Sequence, residues 1–150
     1  MSPQGVVVIL VLLANFYGVD QGLATCLIYH ESSFQVEAEN GVHIGLAQWN
    51  PETFEWLVLK AIQDEGFYHR AYVVAHPTAQ DPLANLLVFI WALDNGYEEH
   101  WSTLIYCRPW PGREEDIGSS SLFYCLSGVL ECIVKERGAK SDADSCQDSP

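Results

Sequence analysis

Basic residues are scarce in this 150-residue chain: seven Lys and Arg stand against 20 Asp and Glu, a formal charge of −13. A nucleic-acid partner needs a basic footprint that displaces counterions from phosphates, so the balance argues for no nucleic acid among the partners. The acidic blocks "YEEH", "REED" and "SDADSCQDSP" read as solvated surface and leave a carbohydrate partner open. No C-x-x-C pair occurs among Cys26, Cys107, Cys125, Cys132 and Cys146, which argues against a zinc ribbon or a dithiol redox motif. His30-Glu31 opens like the zinc motif H-E-x-x-H, but position 34 is Phe, so the second imidazole is missing. His43, His69, His76 and His100 show no ligand spacing, no Gly-rich phosphate loop is present, and no local context supports a cysteine nucleophile. No metal and no cofactor are therefore expected. The apolar run Val6–Ala14 is too short to span a bilayer, so no stable membrane span is expected either.

What remains is enough for one domain with a core of its own. The chain is 49% hydrophobic and only 18% charged, so most of it should fold. Helices are expected over Val6–Tyr17, Gln21–Glu31, Pro51–Glu65, Pro82–Asn95 and Ser121–Glu136. Asp20, Asn50 and Asp81 are the expected N-caps of the second, third and fourth, and Pro51 and Pro82 take first helical positions. "PLANLLVFIWAL" is apolar nearly all round and should be the central buried helix, with Gly96 in its C-cap region. No internal repeat and no alternating strand pattern is present, although "VHIGLAQW" can hold a short extended turn. "CRPWPGREEDIGSSS" reads as a loop. The domain is expected over residues 1–137, with 138–150 as a polar, disordered tail. The start of the chain has two readings. "GVVVILVLLANFYG" resembles the core of a signal peptide but lacks a preceding Lys or Arg. It also reads as a buried first helix ended by Gly18. An odd cysteine count leaves at least one thiol free or paired between chains. Cys26, in an apolar helical pattern, reads as a core residue, and Cys107 with Cys125 or Cys132 is the disulfide to expect if the protein is exported. A monomer is expected.

One carboxylate is placed unusually. Glu31 follows Leu27 by four residues and Leu23 by eight, so on a helix all three share a face. A carboxyl group at the end of an apolar stripe loses water, and desolvation favours the protonated form, the condition for a general acid near neutral pH. Spacing alone favours the plainer reading of a boundary glutamate that reaches solvent.

The residues that follow shift that balance. Glu31-Ser32 with Phe34, then Ala38, then Gly45-Leu46 with Gln48, then Pro51 and Thr53 form an ordered series. It resembles the lytic transglycosylase and goose-type lysozyme superfamily, whose pattern runs Glu-Ser-x-Phe, a polar stretch with Ala and Ser, Gly-Leu-Met-Gln and Pro-x-Thr. One residue is missing between Asn40 and Gly45. "ANFYGVDQGLATCLIYHES" is similar to the family's opening helices, and "DPLANLLVFIWALDNGY" to its helix with an Asn after a Pro. The resemblance covers roughly residues 6–106 and is strongest in the central third.

It implies a mainly α, lysozyme-like single domain with a catalytic groove, in which Glu31 is the catalytic acid. Ser32, Asn40, Gln48, Trp49 and Tyr106 are the implied substrate contacts. Gln48 would offer its amide, Trp49 a stacking face or a core indole, and Tyr106, with Tyr97 second, the family's late tyrosine hydroxyl. Two departures stand out: Ala47 replaces the family's Met, which should open the cleft floor, and the loop serine is replaced by Asn40 or lost with the missing residue. The implied activity is that of a peptidoglycan lytic transglycosylase, cleaving the MurNAc–GlcNAc β-1,4 bond with a 1,6-anhydro product. The alternatives are a goose-type-like muramidase and a non-catalytic glycan-binding protein on the same fold. The implied partner is the peptidoglycan glycan strand, and the implied location is extracytoplasmic. Glu37, Glu39, Glu52 and Glu55 are the nearby candidates for a second carboxylate, and none has the apolar setting of Glu31.

Overall fold

Three helices start at the same device, a capping side chain followed by proline: Ser2-Pro3, Asn50-Pro51 and Asp81-Pro82. In each the side-chain oxygen accepts a backbone N–H of the first turn, and the proline takes a position whose N–H would have no helical partner. Asp20 caps a fourth helix through Leu23 N–H at 2.7 Å. A computed structural model describes residues 1–107, which lie within one compact unit. The order is α1 (Pro3–Tyr17), α2 (Gln21–Ser32), β1 (Glu39–Asn40), β2 (His43–Ile44), α3 (Pro51–Ala61), α4 (Arg70–Ala75), α5 (Pro82–Asp94), a 3-10 turn (Glu98–His100) and α6 (Leu104–Cys107). The expected helix Ser121–Glu136, the loop that begins at Cys107, the domain end at residue 137 and the tail 138–150 fall mostly or wholly outside the described residues.

The centre is α5, as its composition requires. Every residue from Ala84 to Ala92 is buried, and α1, α3 and α4 pack around it. Burial of side chains such as Leu86, Leu87, Phe89 and Ile90 contributes about 1.5–3 kcal/mol each. The first segment packs as a domain helix: Val6, Leu10, Leu13 and Ala14 of α1 face α2 and α5, and Gly18 ends it at φ 71°. Tyr17 at its end shares a 2.7 Å hydrogen bond with His69 Nδ1, and burial pushes its hydroxyl above the ordinary tyrosine range.

Three expectations need correction. α3 ends at Ala61 rather than Glu65, because Asp64 is drawn into other bonds: its carboxylate accepts Gly66 N–H at 2.8 Å and Trp91 Nε1–H at 2.8 Å. α4 was not expected; its six residues make under two turns, too few to show a period, and His76-Pro77 stops it. The disulfide joins Cys107 to Cys26, not to Cys125 or Cys132, so Cys26 is a half-buried bridge residue of α2 rather than a core thiol. The bond ties α6 to α2 across a separation of 81 residues. Closing a loop of that length removes chain entropy from the unfolded state worth roughly 4–5 kcal/mol in the simplest model. Replacing both cysteines by serine should lower unfolding free energy by about 2–5 kcal/mol, read from urea denaturation under non-reducing conditions. A midpoint equal to that of the unmodified protein would show that the bridge carries no stability.

Candidate active site

Glu31 lies half-buried in the last turn of α2. The helix stops two residues later in an abrupt turn: Ser33 and Phe34 both take left-handed backbone, at φ 50° and 62°. That conformation is disfavoured for a bulky residue, and burial of the Phe34 ring holds it there. The chain then leaves α2 and returns as a short antiparallel hairpin with Glu39 opposite Ile44 and Asn40 opposite His43. Ile44 also exchanges both backbone hydrogen bonds with Trp49, at 3.0 Å each. "GLAQ" is the tight turn between them.

Buried side chains lock that turn from behind. Asn85 of α5, wholly buried, accepts Ala47 N–H through Oδ1 at 3.0 Å and donates from Nδ2 to the Ala79 carbonyl at 2.8 Å. Trp101 Nε1–H donates to the Ala47 carbonyl at 3.0 Å. Gly45 sits against this bracket at φ 74°. A Cβ there would come within 2.6 Å of the Ala79 carbonyl oxygen and closer still to Asn85 Nδ2. Gln48, itself left-handed at φ 49°, donates from Nε2 to the carbonyls of Gly45 at 2.8 Å and Ala38 at 3.0 Å. Its amide nitrogen therefore closes the hairpin.

Between the end of α2, the hairpin, the start of α3 and the segment after α5 lies a cleft of about 410 Å³. It is lined by His30, Glu31, Asn40, His43, Gln48, Trp49, Asn50, Thr53, His100, Trp101, Ser102 and Thr103. Among them Glu31 is the one carboxylate. Thr103 Oγ1–H donates to Glu31 Oε1 at 2.5 Å. The other acidic candidates, Glu37, Glu39, Glu52 and Glu55, are all exposed and do not line this cleft; Glu55 borders a second, mostly apolar groove beside α3.

Of the residues singled out in the sequence, Glu31, Asn40, Gln48 and Trp49 come together here. Ser32 does not: it is buried, with its hydroxyl bonded back to the Ile28 carbonyl at 3.1 Å. Tyr106 is exposed and stacks on His30 at 5.6 Å, and Tyr97 stacks on Trp91 at 5.7 Å; neither lines the cleft. The hydroxyl that meets Glu31 comes from Thr103 instead. Ala47, a residue of the turn itself, is fully buried and does not line the cleft, so its small side chain does not open the cleft floor. Trp49 is only 2% exposed, packed between Trp101 at 4.9 Å and Phe54 at 6.0 Å, with its Nε1 buried and unpartnered among the described residues. Sequence reasoning assigned none of His30, His43, Asn50 and Thr53 to the site, and it missed the run His100, Trp101, Ser102 and Thr103. Their signal is a run of polar and aromatic side chains just beyond the Gly96 that ends the central helix. His30 also stands beside the disulfide, its ring nitrogen and both sulfurs within 4.8 Å of one another, with the sulfurs committed to their mutual bond.

Residues 13–99, more than half of the chain, match the family model described as the transglycosylase SLT domain. The chain belongs to this family. No curated protein and no solved structure matches. The matched span of the SLT domain runs from the end of α1 to the 3-10 turn, so it holds Glu31, the hairpin and Asn85 and stops before Thr103. The helical fold is thus the lysozyme-like one, and the family's function is that of transglycosylases on peptidoglycan. No helix among the described residues is long and apolar enough to cross a membrane.

Gly45 and Gly41 of the SLT domain offer a paired test, since both have left-handed backbone but only Gly45 is crowded. Gly41→Ala should cost about 1–2 kcal/mol for backbone strain alone. Gly45→Ala adds overpacking of about 1–3 kcal/mol against Asn85 and Ala79. Equal melting temperatures for the two variants would contradict the bracket as described.

Proposed function

We propose that this SLT domain is a lytic transglycosylase that cleaves the MurNAc–GlcNAc β-1,4 bond of peptidoglycan with Glu31 as its acid and base. The observation that carries the reading is that Glu31 is the only carboxylate among the described residues that line the cleft. Glycosidases that use water generally place a second carboxylate across the scissile bond, as base or nucleophile. Here the substrate supplies the nucleophile. Glu31 gives its proton to the glycosidic oxygen as the bond to C1 breaks, and the GlcNAc-side hydroxyl leaves. The 6-hydroxyl of the same muramoyl residue then attacks C1, Glu31 recovers a proton from it, and a 1,6-anhydro ring closes. No water is consumed, and the carboxyl group ends as it began.

Asn40 and the Gln48 side chain, whose nitrogen is committed to the hairpin, stand where they can meet sugar amides and hydroxyls. Trp49 and Trp101, both almost wholly buried, pack against each other behind the cleft surface and fix its shape. The polymer lies outside the cytoplasmic membrane, so the working location is extracytoplasmic, and the Cys26–Cys107 disulfide supports an oxidising compartment.

Glu31→Gln keeps the side-chain shape and removes the transferable proton, so lysis of cell walls should fall about 10²–10⁴-fold with the melting temperature retained. Wild-type clearing by that variant would remove Glu31 from the mechanism. The product decides the reaction type: mass spectrometry of digested peptidoglycan should show muropeptides one water lighter than hydrolysed ones. Reducing-end muropeptides would make the protein a muramidase, and binding without cleavage would make it a glycan-binding protein.

A further inference from the structure

We propose that Thr103 is a positioning residue for Glu31, and that the Cys26–Cys107 disulfide is what holds Thr103 in register. This deepens the reading above and rests on Glu31 being the acid.

A glutamate carboxyl rotates about a broad terminal torsion, so packing of its stem does not by itself orient the oxygens. Thr103 removes that freedom: its hydroxyl donates to Oε1, which leaves Oε2 as the oxygen that carries the transferable proton. The donor comes from a segment with little capacity to hold itself. α6 is four residues long, well below the length at which a helix is stable alone. Thr103 is instead fixed from both sides. Trp101 before it is 4% exposed and bonded to the Ala47 carbonyl, and beyond it Leu104 is buried and Cys107 is bonded to Cys26. Cys26 and Glu31 lie on the same helix, as Thr103 and Cys107 lie on the same short segment. The disulfide and the hydrogen bond thus join two pieces of chain twice, one covalently and one at the reacting carboxyl. Opening the covalent join frees the segment to move, and misplacement of a reacting group by about 1 Å is enough to lower a rate on the order of a hundredfold.

The test is a set of variants compared on one purified peptidoglycan substrate. Thr103→Val removes the donor and keeps the shape; it should lower kcat about ten- to a hundredfold with KM unchanged. Thr103→Ser should recover most of that loss, because it restores the hydroxyl. Should the Val variant melt below assay temperature, Thr103→Ala is read in its place. The Cys26→Ser/Cys107→Ser double variant, assayed well below its own melting temperature, should lower kcat in the Thr103 background and have little further effect on top of Thr103→Val. Equal activity of Thr103→Val and the unmodified enzyme, with Glu31→Gln inactive, overturns the positioning role and leaves the proposed function standing. Equal loss in the Val and Ser variants also overturns it, since only packing would then matter. Losses from the cysteine and Thr103→Val changes that multiply independently overturn the role of the disulfide. An active Glu31→Gln enzyme refutes the function reading itself, an outcome distinct from all of these.

Discussion

The buried amide of Asn85 is the constraint on which the site depends. It lies on the central helix, out of reach of solvent, and joins backbone groups of two loops through one donor and one acceptor. An unpaired amide in that position would cost several kcal/mol, so the two loops and the helix are held to one arrangement. Gly45 must then be glycine, because the amide occupies the space a side chain would need. The hairpin inherits its position from this contact, and the cleft inherits one wall from the hairpin. The polar rim of the site is therefore set by a group that touches no substrate.

The wall on the other side is built differently. It comes from the residues after α5, which pair through single side chains: Trp101 to the Ala47 carbonyl, Thr103 to Glu31 and Cys107 to Cys26. One side is a backbone turn gripped by a buried amide, and the other is a loop pinned at intervals. The carboxyl group sits where they meet. Among the described residues the neighbouring glutamates are all exposed: Glu37 just before the hairpin, Glu39 on it, and Glu52 and Glu55 on α3.

The parts of this arrangement that the sequence made legible are those encoded locally. Proline after a capping residue fixed the starts of α3 and α5, continuous apolarity identified α5 as central, and the ordered series from Glu31 to Thr53 located the carboxyl and the hairpin. The parts that stayed hidden are set by tertiary contact. The end of α3 depends on Asp64 finding Trp91, which lies 27 residues on. Cys26 looks like any apolar helical position until its partner arrives from α6. Ser32, next to Glu31, turns its hydroxyl onto its own helix, while Thr103, 72 residues from Glu31, supplies the contact. Adjacency in the chain is a poor guide to which hydroxyl reaches a carboxylate, since on a helix the next residue points elsewhere.

The disulfide changes what kind of object the chain is. From Cys26 to Cys107 the polypeptide is a closed macrocycle, and Glu31, the hairpin, Asn85 and Thr103 all belong to the ring, whereas α1 lies on the arm outside it. Along the linear chain Glu31 and Thr103 are 72 residues apart. Through the bridge, the route runs only from Glu31 back to Cys26 and from Cys107 back to Thr103. With the Cys26 and Cys107 Cα atoms 5.7 Å apart, Glu31 and Thr103 stay near neighbours even in the unfolded ring. After unfolding, they regain contact by closing a small loop rather than a long one, which is the less costly search.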